Sequence, residues 1–307
     1  MTNKELKPKI LVILGPTASG KTSLAVDLAQ KFNGEIVSAD SRQVYRGMDI
    51  GTGKDLEAYG DTPYHLIDVA DPKEAFDLAQ FKKLAEVAIS DIVRRGKLPI
   101  IVGGSGLYLE ALINNFQLAE VKADSKLRDM LEAKTIEEIF EIIQGHNPSF
   151  AAKINNSDLN NKRRLIRYAE VFAGSGQVTE KGEALYNPLI IGLNWPKEEL
   201  AARIEARLTE RLDKQDMVEE VNDLNRQGIT WQRLESFGLE YKFIAWYLQE
   251  KVDYEQMLEK LKKASWQFAK RQLTWFKRWE KSGTVINWFE SGDFTGLDES
   301  LTKFLQD

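Results

Sequence analysis

The chain has 307 residues, 43% of them hydrophobic and 29% charged, which excludes a disordered chain and leaves room for one large domain or a domain with a smaller partner. It has no cysteine, which excludes disulfides, thiolate metal sites and thiol nucleophiles and fits a reducing cytoplasm. The net charge of −5 argues mildly against nucleic acid, yet the basic residues cluster: Lys260–Lys281 carries eight Lys or Arg against Glu280 alone, and Asn161–Arg167 reads NKRRLIR.

In chain order, Ile10–Leu14 (ILVIL) predicts a buried strand, because its apolar, mostly β-branched residues do not alternate with polar ones. The run is too short for a signal-peptide core, and no stretch of about 18 apolar residues exists to cross a membrane. A glycine-rich turn follows, then a helix over KTSLAVDLAQKF. GEIVSAD predicts a second strand ending at Asp40, and YHLIDV (Tyr64–Val69) a third. FKKLAEVAISDIVRRG predicts an amphipathic helix stopped by Gly96, with Lys/Arg in its last turn as the helix dipole prefers. LPIIVGGSG predicts a fourth strand and PLIIGLNW a fifth.

About 80 residues separate those two strands, too many for one crossover. They contain helical patterns over KADSKLRDMLEAKTIEEIFEIIQG and KRRLIRYAEVFAGSG. After NWPKEEL the pattern is helical to Lys281, followed by a late strand at TVINWF and a short terminal helix. The expected fold is α/β: a P-loop-type parallel sheet covered by helices, with a helical insertion and a largely helical C-terminal part. The expected divisions are 1–115 for the first part of the core, 116–185 for the insertion and 186–307 for the core's completion.

The chemistry gathers where strands end, because ligands of such sheets sit beyond the carboxyl ends of the strands. Gly15–Thr22 (GPTASGKT) has the G-x-x-x-x-G-K-[ST] pattern between a strand and a helix. Its glycines let backbone N–H groups face phosphate oxygens, and the helix N-terminus adds partial positive charge. Lys21 neutralises the outer phosphate and the Thr22 hydroxyl can ligate Mg²⁺. Asp40 suits an Asx turn; with the phosphate loop expected on the adjacent strand, it also suits a base or a metal-positioning carboxylate. In GGSGLY (Gly103–Tyr108), paired glycines permit close approach to a ligand, and Ser105 is the hydrogen-bonding side chain of the turn.

A routine ATPase needs an acid at the end of an apolar strand to hold Mg²⁺. LPIIVGG ends in glycine instead, and Asp68 follows only the short HLI. In Lys260–Lys281, Trp266, Phe268, Trp275, Phe276 and Trp279 interleave with lysine and arginine. Helical spacing sets Phe268, Trp275 and Trp279 near one face, a pattern open to two readings: an apolar stripe behind a solvated basic face, or a platform for unstacked nucleic acid. The two histidines, His65 and His146, cannot make a multi-histidine metal site.

Taken together and in order, GPTASGKT, SADSRQVYRGMDIGTGK, HLID, VGGSGLY, RRLIRYAEVF, RIEARL and AKRQLTWFKRW resemble the bacterial tRNA dimethylallyltransferases, the tRNA isopentenyltransferase family, over nearly the whole chain. DSRQVYRGMDIGT with KRQLTWF is the specific part. The resemblance implies transfer of a dimethylallyl group from dimethylallyl diphosphate to N6 of adenine 37 of tRNA, beside the anticodon, with Mg²⁺ as cofactor.

It further implies that Gly15, Pro16, Thr17, Ala18, Ser19, Gly20, Lys21 and Thr22 hold the donor diphosphate together with Arg203 and Arg207, and that Thr22 binds the metal. Asp40, Ser41, Arg42 and Gln43 would contact the target adenosine, with Asp40 as general base. Ser105 stands where the family has threonine. Arg128, Arg163, Arg164 and Arg167 match tRNA-contacting positions, as do Lys270, Arg271, Gln272, Trp275 and Lys277. One departure is SFGLEYK, with Glu240 where glycine is usual, although Tyr241 and Lys242 persist.

On this reading Lys21, Ser105 and Arg207 join Asp40 as catalytic groups. The partners are the tRNA anticodon stem-loop and dimethylallyl diphosphate, with no membrane, and the chain is a cytoplasmic monomer. The rivals are an AMP/ADP isopentenyltransferase, which would not need the basic-aromatic segment, and a P-loop nucleotide or small-molecule kinase, for which DSRQVY and KRQLTWF have no use. A non-enzymatic RNA-binding protein would leave Gly15–Thr22 and Asp40 unused.

Overall fold

The computed structural model describes residues 7–118, 124–174 and 180–307, except the side chains of Ser125 and Ser157. The expected helix starts at Lys122–Ala123 and the expected helix end at Ser175–Gly176 lie outside the described residues. The chain forms two compact units: residues 1–113 with 184–307, and residues 114–183.

In the larger unit β1 (Lys9–Leu14), α1 (Lys21–Lys31), β2 (Gly34–Ser38), β3 (Tyr64–His65), α2 (Leu78–Arg94), β4 (Leu98–Gly103) and α3 (Gly106–Ile113) follow in order. The smaller unit contains β5 (Phe116–Gln117), α4 (Ser125–Glu132), α5 (Ile136–His146), α6 (Pro148–Ala151), α7 (Asn156–Leu159), α8 (Lys162–Gly174) and β6 (Glu180–Lys181). The larger unit resumes with β7 (Asn187–Asn194), α9 (Lys197–Lys214), α10 (Met217–Arg226), α11 (Trp231–Phe237), α12 (Leu239–Leu248), α13 (Tyr254–Lys281), β8 (Asn287–Glu290) and α14 (Leu297–Gln306).

The main sheet is parallel, in the order β3-β2-β4-β1-β7-β8. The five apolar residues of β1 from Ile10 to Leu14 are fully buried, and alternate ones enter different cores. Ile10, Val12 and Leu14 pack with α2, α3 and the end of α13, while Leu11 and Ile13 pack with α1 and α14. An unbroken apolar run is therefore what a strand covered on both faces requires.

Two sequence expectations are corrected. The phosphate-loop strand and the Asp40 strand are not neighbours, because β4 lies between β1 and β2. The third strand is only Tyr64–His65, because Leu66 and Asp68 adopt left-handed backbone (φ 63° and 57°) that no strand continues. The Asp68 carboxylate instead meets the ammonium of the fully buried Lys54, which also bonds Asp49 and the Tyr45 carbonyl.

The smaller unit has its own core, including Leu131, Ile139, Ile143, Leu165, Ile166 and Phe172. Its helices are punctuated by their caps. Asp124 caps α4, Thr135 and Glu138 form a capping box on α5, and Asn147 followed by Pro148 starts α6.

Candidate active site

The Gly15–Thr22 loop runs from the end of β1 into α1, and its turn needs left-handed backbone at Ala18 (φ 62°) and Gly20 (φ 89°). With Lys21, Thr22, Asp40, Asp55, Arg203 and Arg207 it lines a cavity of about 480 Å³. Lys21 donates to the Pro16 carbonyl at 2.6 Å. Desolvation, with help from Arg207, lowers its pKa to about 7 against a raising contribution from Asp40. Arg207 donates to the Thr17 hydroxyl, and its Nε is buried without a hydrogen-bond partner among the described residues. Burial, then Arg211, lowers its pKa to about 10. Arg203 donates to the Ala18 carbonyl at 2.9 Å while stacking on Trp195. Two desolvated cations and an orphan donor make this cavity a receptor for an anion.

Asp40 also lines a second cavity, of about 430 Å³, with Arg42, Arg211, Glu240, Tyr241 and Arg271. Thr17, Asp40, Thr52, Arg207 and Phe268 line both. The Asp40 carboxylate accepts the Arg42 backbone N–H at 2.8 Å, the Asx-turn geometry, and it faces both spaces as well. Ser105 Oγ accepts the Ser41 N–H at 3.1 Å and so pins the residue after Asp40. β4 can intervene between loop and carboxylate because its end is glycine: a Cβ on Gly103 would collide with the Ala39 carbonyl.

Glu240 and its surroundings account for the unusual SFGLEYK stretch. Glu240 is buried at the start of α12, and burial raises its pKa against the pull of Arg207, Arg211 and Arg42. Tyr241 Oη donates to Glu220 at 2.7 Å. The same carboxylate accepts the backbone N–H groups of Asp49, Ile50 and Gly51 at 2.8, 2.6 and 3.1 Å. It thereby fixes the GTGK loop whose Thr52 and Gly53 form cavity wall.

Sequence reasoning passed over Asp55, Tyr59 and Arg211. Asp55 lines the first cavity and pairs with Arg211 at 3.4 Å. The Tyr59 phenol, whose pKa is pushed up by burial and the nearby Asp55, bonds the Thr22 hydroxyl. Nothing in KDLEAYG signals this, since the contacts come from packing of the loop against α1.

On α13 the buried stripe is Ser265, Ala269, Gln272, Phe276 and Trp279, so Phe276, not Phe268, joins Trp279 in the core. Lys270, Arg271 and Lys277 are exposed. Lys270 lies over Trp266, Arg271 over Phe268 and Arg278 over Trp275. Trp275 is half-buried, and its indole N–H donates to Glu110 at 3.1 Å.

Gln272, expected to contact tRNA, turns its side chain inward. It is buried at 6% exposure, with its amide oxygen on the Thr17 N–H at 2.8 Å and its amide nitrogen on the Gly104 carbonyl at 3.0 Å. Gln43 is likewise buried, accepting from Ser38 Oγ at 2.8 Å and donating to the Gly53 carbonyl at 2.9 Å. Both amides also line the first cavity, each with at least one end bonded to backbone.

In the smaller unit Arg128 forks onto the buried Glu170 with two bonds of 2.9 Å, and Arg167 reaches the same carboxylate at 3.4 Å. Arg164 pairs with Asp158, and Arg163 is exposed.

Comparison with known proteins gives one answer. A family model described as IPP transferase matches residues 43–279, and one described as isopentenyl transferase matches residues 8–62. The chain is 47% identical over 295 residues to tRNA dimethylallyltransferase 1 of Geotalea uraniireducens, covering 95% of each chain. It is 42% identical to that of Hahella chejuensis, covering 98% of each. Among solved structures, a full-length tRNA isopentenylpyrophosphate transferase from Bacillus halodurans matches with a TM-score of 0.70 at 36% identity, covering 98% of this chain and 96% of that one. A eukaryotic dimethylallyltransferase acting on tRNA matches with a TM-score of 0.79 at 28% identity, covering 96% and 77%.

Proposed function

Because the chain belongs to the IPP transferase family of tRNA dimethylallyltransferases, we propose that its first cavity takes dimethylallyl diphosphate and its second the flipped-out target adenine of the anticodon loop. The chain is a tRNA dimethylallyltransferase, a prenyltransferase, and we place the transfer on N6 of adenine 37, with diphosphate leaving. The observation that carries the two-cavity reading is Asp40, whose side chain lines both spaces.

Adenine N6 is a weak nucleophile because its lone pair is delocalised into the ring. Holding it in line with C1 of the donor supplies much of the rate, since pre-paid orientation is worth several kcal/mol. As the N6–C1 bond forms, the C1–O bond to diphosphate breaks and the N6 proton passes to Asp40. The charge growing on the leaving diphosphate meets Lys21, Arg207 and the loop N–H groups.

Mg²⁺ fits the residues present. The Thr22 hydroxyl and the Asp40 and Asp55 carboxylates are hard oxygen donors around the first cavity. Among the described residues no cluster of three acids or histidines could hold a metal alone. Such a sparse set suits an ion carried mainly by substrate phosphates, and bound Mg²⁺ would neutralise diphosphate charge.

Arg128, Arg163, Arg164 and Arg167 are assigned to tRNA contact, with Lys270, Arg271, Trp275 and Lys277 of α13. Arg203 joins Arg207 on the donor diphosphate. We assign the chain to the cytoplasm as a monomer; among the described residues no helix is long and apolar enough to cross a membrane.

The test offers labelled dimethylallyl diphosphate with unmodified tRNA, AMP or ATP in turn. Label is expected in tRNA alone, and ATP consumption without label transfer would overturn the reading. Asp40→Asn should lower kcat by about 10²- to 10⁴-fold with donor binding retained. Near-normal transfer by a folded Asp40→Asn protein removes Asp40 from the role of base.

A further inference from the structure

Gln272 lies in the middle of the 28-residue helix α13, next to exposed Lys270 and Arg271, yet its side chain points the other way. Its neighbours in the buried stripe, Ser265, Ala269, Phe276 and Trp279, are small or aromatic. A primary amide there must find a donor and an acceptor inside the protein, and it does. The Thr17 N–H of the phosphate loop donates to Oε1 at 2.8 Å, and Nε2 donates to the Gly104 carbonyl at 3.0 Å. The two partners fix which end of the amide is which, because a backbone N–H can only donate and a carbonyl can only accept.

Both partners are special positions. Thr17 is held from the other side by Arg207, which donates to its hydroxyl. Gly104 has no room for a side chain, since a Cβ would collide with the Gln272 amide. Next to Gly104, Ser105 Oγ accepts the Ser41 N–H at 3.1 Å. Gly106 is equally closed, by the ring of Trp275. One face of α13 thus grips the Gly104–Gly106 turn at two points and the phosphate loop at one. The other face presents Lys270 and Arg271 outward.

We infer that Gln272 is a positioning residue that couples engagement of tRNA on the exposed face of α13 to the geometry of the donor loop at Thr17. The inference rests on the assignment of donor to Gly15–Thr22 and tRNA to α13 given above. A shift or stiffening of α13 on binding RNA reaches Thr17 through one hydrogen bond and no intervening loop, with the bond to Gly104 holding the amide in place. Glutamine is required because asparagine falls a methylene short, glutamate cannot donate to Gly104, and leucine serves neither partner.

The experiment measures the affinity of dimethylallyl thiolodiphosphate, a slowly reacting donor analogue, by calorimetry with and without saturating unmodified tRNA. Wild-type protein should bind the analogue at least fivefold tighter with tRNA present, as reciprocal coupling requires the same factor for tRNA with analogue. Gln272→Leu should reduce that factor to below twofold while tRNA affinity measured without analogue stays within twofold. Gln272→Glu keeps the acceptor for Thr17 and loses only the donor to Gly104, so it should retain more of the coupling than Gln272→Leu.

An unchanged coupling factor in Gln272→Leu overturns the inference, as does a wild-type factor near one. Lys21→Ala and the pair Lys270→Ala/Arg271→Ala separate the underlying assignment. If neither changes binding of analogue or tRNA respectively, the sites themselves are wrong and the coupling falls with them. Loss of donor and tRNA affinity by equal factors in Gln272→Leu, with the coupling factor preserved, assigns Gln272 a packing role alone.

Discussion

The phosphate loop and the smaller unit treat their cations in opposite ways. At the loop, Lys21 and Arg207 are desolvated and under-compensated, with pKa values brought down to about 7 and about 10. In the smaller unit Arg128, Arg164 and Arg167 remain 41–46% exposed at the side chain and each meets a carboxylate, Glu170 or Asp158. The first arrangement holds unfavourable energy until an anion arrives, and so favours charge that grows on a leaving group. The second holds each fork in a fixed direction while leaving it wet, which suits salt-sensitive contact with a polyanion. On the proposed function, the first is a site for catalysis and the second a surface for docking, distinguished by desolvation more than by residue type.

The largest effect that tests this difference is at Arg207. Arg207→Ala should lower kcat by about 10²- to 10³-fold, the cost of one missing donor to a developing oxyanion, with tRNA affinity unchanged. Arg207→Lys should recover only part, since a lysine brings a point charge without the planar fork that spans Thr17 and the diphosphate. Single-turnover rates with saturating tRNA measure both. A loss in Arg207→Ala confined to KM would make the residue a binding cation like those of the smaller unit.

The next effect is in pH. Lys21 titrates near 7 in the free protein, and a bound diphosphate must raise that value by favouring the ammonium. The sign follows. Below pH 7 Lys21 is charged with or without donor, and it adds no slope. Above pH 7 binding takes up a proton, so donor affinity falls by up to about tenfold per pH unit until the pKa of the complex is reached. The diphosphate adds no slope there, its own last ionisation lying near pH 6 by analogy with phosphate esters, about where phosphoserine titrates. Calorimetry in buffers of different ionisation enthalpy should register proton uptake at pH 8 that Lys21→Arg abolishes.

How much of this was legible in the sequence depends on range. The strand–loop–helix from Lys9 to Lys31 could be read because each part is set locally: an apolar run, glycines that permit left-handed turns, then helix formers. Asp40 could be found as the end of the next apolar run. That β4 separates the two strands could not, because strand order is a property of crossovers and not of any segment. YHLIDV read as a six-residue strand, but Asp68 is drawn out of it by Lys54. Gln272 was visible as a letter of AKRQLTWF among basic residues. Its target, Thr17, lies 255 residues earlier, and only the packed helix reveals it.

A moderate effect is expected on α13, whose exposed cations resemble those of the smaller unit more than those of the loop. Lys270→Ala/Arg271→Ala should weaken tRNA binding about tenfold near physiological salt. It should also lower the slope of log K against log salt by about 1.4, the release of two counterions from a single strand. Filter binding across a salt series reads both numbers. An unchanged slope would show that these side chains back the aromatic rings instead of meeting phosphate.

The smallest effect is the most diagnostic for the docking surface. Glu170 is buried, and its carboxylate receives the Arg128 fork and one bond from Arg167. Glu170→Gln removes a negative charge, and simple attraction of RNA would then rise. It also replaces one of the two acceptor oxygens by an N–H donor and so breaks the fork that orients the guanidinium groups, a loss on the order of 0.5 kcal/mol where the arginines are half-exposed, about a factor of two in affinity. The two effects oppose each other, and screening decides between them. At 0.15 M salt, charges beyond about 8 Å are damped, whereas a lost hydrogen-bond direction is not. The expected outcome is a two- to threefold loss of tRNA affinity at physiological salt with the salt slope unchanged, because no cation has been removed. A gain in affinity would mean that the arginines act only as diffuse charge, and that the carboxylate fork is a feature of the smaller unit's own folding.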